Sequence, residues 1–156
     1  MWQSLFTLTN LIAVIAWALL LLAPRRPLSL TIILYAGVGL LCLIYTALFV
    51  TLIAGWADPV RDAGAPPLVL SDYSVTGLRA FFASQGGIVV GWTHYLALDL
   101  FTGLWIARDG DQKSIGRLVQ APILFATFMA GPLGLLIWLA VREPAARRSS
   151  KEAHAR

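Results

Sequence analysis

Charge, cysteine and histidine are scarce in this sequence, and each scarcity removes a class of function. Only 13% of the 156 residues are Asp, Glu, Lys or Arg, while 58% are hydrophobic. Ordinary soluble domains run at about 25% charged and 45–50% apolar, so a chain of this size and balance needs a lipid solvent for its surface. The one cysteine, Cys42, has no partner for an intrachain disulfide. Lying in the middle of an apolar run, it is expected to be a small buried hydrophobe. The two histidines, His94 and His154, do not make a metal cluster with the few acids. Only His94 falls inside an apolar run, so a bis-histidine haem would require a dimer. Paired cysteines, a glycine-rich phosphate loop, a G-x-S-x-G elbow and internal repeats are all missing. No metal and no cofactor are expected.

The net charge of +4 and pI near 9.7 do not point to nucleic acid. The basic residues flank apolar runs and fill the C-terminal end, as membrane-flanking charges do. They form no stripe with interleaved aromatics that could track phosphates.

What is abundant is the long apolar run. Four of them approach or exceed the roughly 20 residues that cross about 30 Å of hydrocarbon, at about 5–23, 28–54, 88–107 and 118–141. None alternates as a barrel strand must. The expectation is therefore an all-α integral membrane protein, a four-transmembrane-helix antiparallel bundle over residues 1–141, followed by a basic disordered tail over 142–156. The first run lacks a basic n-region and a small-x-small cleavage site before Pro24-Arg25-Arg26-Pro27, so it is expected to stay as a span. The connection Gly55–Arg79 is rich in turn residues, and a surface helix could begin near Ser74. Seven Lys/Arg fall on the side of the N-terminus, the long loop and the tail, and five on the other. The positive-inside rule then leans toward both termini in the cytoplasm.

The third run holds the chemistry: Gly91-Trp92-Thr93-His94-Tyr95-Leu96-Ala97-Leu98-Asp99-Leu100-Phe101-Thr102-Gly103. Counted from Ile88, Asp99 lies about 16 Å into the membrane at 1.5 Å per residue. A carboxyl near the midplane costs roughly 2.5–3.5 kcal/mol on insertion scales, so it must face protein or a wet cavity and find a partner. Either it works on a ligand, or it bonds Tyr95, Asn10 or Thr46 and fixes packing. Trp92, Tyr95, Asp99, Thr102 and Gly103 share one helical stripe, whereas His94 lies about 140° away from Asp99. Asn10 is a second buried polar candidate, and Trp17, Trp92 and Trp105 suit the wall of an apolar slot. Gly87-x-x-x-Gly91 allows close approach of another helix, in this chain or in a homodimer, or of a flat polyene. Arg108 and Asp109 read as an interfacial anchor pair.

The pattern Gly91-Trp92-x-His94-x-Leu96-x-x-Asp99-Leu100-Phe101, followed by Arg108-Asp109-Gly110 and Gly131-Pro132-x-Gly134, resembles the abscisic-acid-deficient-four-like membrane proteins. The likeness extends to the first span with Asn10. Plant members are linked to neoxanthin formation in plastids. The resemblance, and no feature of composition or spacing, implies an intramembrane carotenoid- or isoprenoid-modifying protein. Its simplest form is a neoxanthin-synthase-like isomerase that opens a carotenoid epoxide and removes a proton from the adjacent polyene carbon, giving an allene. That reaction needs an acid at the epoxide oxygen and a base at carbon, both shielded from water. A protonated Asp99 suits the acid, neutral His94 the base, and Tyr95 could share the proton. Gly91, Trp92, Thr102, Asn10 and Trp105 are the expected substrate-binding residues.

Two other functions fit the same residues. One is a non-catalytic pigment- or lipid-binding or assembly protein; the other is a small transporter or proton relay built on the midplane acid. The expected partners are an isoprenoid lipid and the bilayer. With residue 1 already at the first span and no plastid transit segment, a bacterial inner membrane is the expected location.

Overall fold

The computed structural model describes residues 1–69 and 71–154, with side chains described through Glu143 except at position 70. These residues form six helices and no strand: α1 (Trp2–Leu22), α2 (Pro27–Ile53), α3 (Val75–Phe82), α4 (Gln85–Gln112), α5 (Arg117–Met129) and α6 (Gly131–His154). Helices α1 and α2 are long and apolar enough to cross a membrane. They turn Leu8, Leu11, Ile15, Leu43 and Val50 outward, away from the rest of the chain. Cys42 faces outward too. This corrects the expectation of a buried thiol, because Cys42 lies on the exposed face of α2 beside Leu43.

Pro24 and Pro27 set the turn between α1 and α2. Pro27 occupies the first turn of α2, where a missing N–H costs nothing. Within α2 the ladder widens to π geometry over Ile33–Gly39. Here a Cβ on Gly37 would stand 3.0 Å from the Ala16 Cβ and 3.1 Å from Leu100 Cδ2, so bare backbone lets α1, α2 and α4 converge. Ser74 and Ser84 cap α3 and α4 by accepting from the Gly77 and Gly87 amides at 3.2 and 3.0 Å. The Gly87-x-x-x-Gly91 face is filled from within the chain. Gly87 lies against the Phe81 carbonyl and Gly91 under the Phe82 ring, so within the chain this face receives α3.

Helix α4 is the central post, packed on α1, α2, α5 and α6. Its Leu96, Ala97, Leu100, Leu104, Ile106 and Ala107 join Trp17, Leu20, Ile33, Leu41, Leu124 and Trp138 in one buried core. The last apolar run departs most from expectation. Residues 118–141 do not form one straight span. Helix α5 stops at Met129, Ala130 leaves helical geometry at φ −158 and ψ 84, and Pro132 has no N–H with which to continue the ladder. Helix α6 then folds back along α5, with bare Gly134 against Thr127. Gln120 near the start of α5 and Arg142 on α6 both sit at the C-terminal end of α4, against Gly110 and Asp109 respectively. The Gly131 tip instead touches Asp99, ten residues and about 15 Å further along α4.

The α1 end, where Trp2 donates to the Asp58 carbonyl at 2.9 Å beside Gly86, lies at the N-terminal end of α4, and the Arg142 turn of α6 lies at its C-terminal end. Over 142–154 the backbone is helical rather than disordered; residues 155–156 of the expected tail lie outside the described residues.

Candidate functional site

Asp99 is 7% exposed, held where the middle of α4 meets the hairpin tip. Its carboxyl faces the Tyr95 hydroxyl one turn back and the backbone amide of Gly131. Any side chain on Gly131 would run into Asp99 Oδ1, and Oδ2 is buried without a hydrogen-bond partner. The Tyr95 hydroxyl donates at 3.4 Å to the carbonyl of Met129, the last residue of α5. Two helix ends that leave backbone groups free thus meet Tyr95 and Asp99 of α4.

Next to this spot runs a groove of 390 Å³ between α1, α4 and α5, walled by Ala13, Val14, Leu96, Phe128 and Met129 with Asn10, Trp92 and Tyr95. Asn10 Nδ2 donates to the Phe6 carbonyl at 2.7 Å, which frees its Oδ1 to accept from Trp92 Nε1 at 3.1 Å. The Trp92 indole stacks on Tyr95 with centroids 5.5 Å apart and planes at 24°. Asn10, Trp92 and Tyr95 therefore form a connected wall, and Asp99 stands behind Tyr95 without lining the groove. Thr46 is turned to its own helix, donating to the Cys42 carbonyl at 2.8 Å.

The other residues singled out in the sequence lie elsewhere. His94 is exposed on the opposite side of α4, its ring 5.3 Å from that of Tyr45 on α2. Thr102 donates to the Leu98 carbonyl at 2.8 Å. Trp105 carries the Arg142 guanidinium 5.4 Å above its ring. Gly91 serves the packing of Phe82, as described above.

A second buried acid was underread in the sequence. Asp109 does not pair with its neighbour Arg108. Its Oδ1 accepts from Lys113 Nζ at 2.6 Å and an Arg142 amino nitrogen at 3.0 Å; its Oδ2 accepts from Arg142 Nε at 2.6 Å and Trp138 Nε1 at 3.1 Å. Burial alone would push this carboxyl up, but the hydrogen bonds and charges of Arg142 and Lys113 outweigh it and hold it below the usual carboxylate range. Beside it, Arg25 bonds Asp111 at 2.9 Å, the Ala107 carbonyl at 3.3 Å and the Gln120 side chain. Arg117 reaches back to the Leu21 and Ala23 carbonyls at 3.2 and 2.9 Å. The available sequence signals were the i,i+4 pairs Asp109–Lys113 and Trp138–Arg142, which put complementary groups on facing stripes.

A family model described as ABA DEFICIENT 4-like matches residues 4–138 of the chain. No curated protein and no solved structure matches it.

Proposed function

This chain belongs to the ABA DEFICIENT 4-like family, which links it to neoxanthin and carotenoid biosynthesis, and on that premise we propose that it is an intramembrane isomerase of an epoxidised carotenoid or related isoprenoid. In this reading α1, α2 and α4 cross the bilayer and the α5–α6 hairpin re-enters it. Irregular backbone at membrane depth is tolerated where protein buries it, and the tip lies against Asp99 and Tyr95.

The observation that carries the proposal is the apolar groove with one titratable group in its wall, Tyr95, backed by the sealed carboxyl of Asp99. The ring end of the lipid occupies the groove against Trp92 and Phe128. Tyr95 gives its proton to the epoxide oxygen as the C–O bond to the polyene-side carbon breaks, and Asp99 reprotonates Tyr95. The proton released from the adjacent polyene carbon, as the allene forms, returns through Tyr95 to Asp99. Atoms balance without oxidant or reductant. This differs from an Asp99–His94 acid–base couple, because His94 faces Tyr45 on the far side of α4.

The test is expression in a carotenoid-producing bacterial host supplied with epoxy-carotenoid, with pigments resolved by chromatography. Conversion that disappears with Tyr95→Phe and Asp99→Asn supports the reading; conversion at the full rate in both variants overturns it. The groove's mostly apolar lining also suits a pigment binder. That reading is distinguished by a carotenoid that copurifies with the protein unchanged.

A further inference from the structure

The hairpin tip touches a carboxyl that is more than nine-tenths buried and has one oxygen without a partner. An acid in such a place is costly unless its surroundings are built for it. The built part is Gly131. Its position is the first of α6, where the backbone N–H has no intrahelical partner and the helix dipole is positive. The amide of Gly131 faces the carboxyl, and the space that a side chain would need is taken by Asp99 Oδ1. Met129, two residues earlier, fixes the Tyr95 hydroxyl through its carbonyl. One three-residue turn thus holds both members of the proton pair.

We propose that Gly131 is a positioning residue for this pair: its missing side chain lets the tip close over Asp99, fix Oδ1 and separate the carboxyl from the groove. A ligand then meets Asp99 only through Tyr95. The inference rests on the proton-transfer reading above for its functional meaning, but the contact between Gly131 and Asp99 is testable without turnover. The site suits a neutral oxygen, such as an epoxide or hydroxyl, because the groove wall presents a phenol, an indole and one amide but no charge.

The experiment uses the full chain in detergent or liposomes and compares wild type with Gly131→Ala, Asp99→Ala and the double variant. Thermal unfolding is expected to show Gly131→Ala well below wild type, with the loss largely removed when Asp99→Ala supplies the missing space. The infrared carboxyl band assigned by its disappearance in Asp99→Asn is expected to shift in Gly131→Ala. Turnover of epoxy-carotenoid is expected to fall by about 100-fold with substrate KM little changed, the size typical of an ångström-scale misplacement. If Gly131→Ala fails to fold, a double variant that folds still supports the contact. Equal losses in the two backgrounds, or an unmoved carboxyl band, overturn the proposal. Coupling and a band shift in a chain that converts no carotenoid would remove the isomerase reading and leave the positioning of Asp99 standing.

Discussion

Helix α4 carries two acids that are equally buried, both at 7% exposure, and their surroundings differ in every other respect. Asp109 sits at one end among two cations and an indole, all donating to it. Asp99 sits ten residues deeper, opposite a phenol and a backbone amide, with one oxygen unpartnered. A carboxylate surrounded by cations is fixed in its charged form and works as a bolt, here tying α6 to α4. A carboxyl with no cation beside it is not pinned in its charged form, so its proton remains available for exchange. Burial alone does not distinguish these two acids; the charge of their partners does.

The sharpest way to break this contrast is to neutralise each acid and ask which property fails. For Asp99→Asn and Tyr95→Phe we expect conversion to fall by about 100- to 1,000-fold, the scale of general acid–base assistance. Chromatography of host pigments gives the rate, and thermal unfolding should move far less than it does for Asp109→Asn. That second variant strips Arg142 and Lys113 of their shared anion and should cost about 2–3 kcal/mol, below the 3–5 kcal/mol of a fully buried pair because the partners are partly exposed. Thermal unfolding in detergent measures it, and equal loss in Asp99→Asn and Asp109→Asn would collapse the distinction.

The pH dependence sharpens the same comparison. Because Asp109 titrates below its ordinary value of 3.8, its contribution to stability is fully present above that value and is lost as pH falls through the depressed folded value. Acid unfolding should therefore steepen below about pH 4 in wild type, with that component missing in Asp109→Asn. The smallest effect is expected for His94→Ala. Its ring lies outside the groove against Tyr45, so conversion should change less than threefold on the same pigment assay. A loss matching Asp99→Asn would return the base role to His94.

Much of the architecture was legible in the chain. The apolar runs ending at Pro24 and near Ala54 became α1 and α2, and the stripe of Trp92, Tyr95 and Asp99 did fall on one side of α4. The single fourth span was misplaced for a physical reason. Hydropathy sums apolar character along the sequence and carries no direction, so Arg117–Met129 and the first turns of α6 read as one crossing. Gly131-Pro132 can kink a helix or reverse it, and only contacts such as Gly134 with Thr127 and Arg142 with Asp109 select reversal. The partner of Asp109 was hidden similarly, since Arg108 is its neighbour in sequence while Arg142 is its neighbour in space.

The sequence by itself determined that this is an all-helical chain rich in lipid-suited surface, with one acid deep in a polar stripe that includes Tyr95. Those properties follow from composition and from the 3.6-residue period, which are local. Only the tertiary structure decided that the last apolar segment doubles back, that its glycine tip closes on Asp99, and that His94 faces away. These depend on contacts that no single segment contains, from Gly134 with Thr127 within the hairpin to Gly131 with Asp99 and Arg142 with Asp109 across the fold, where shape complementarity between backbones, rather than the character of any one segment, sets the outcome.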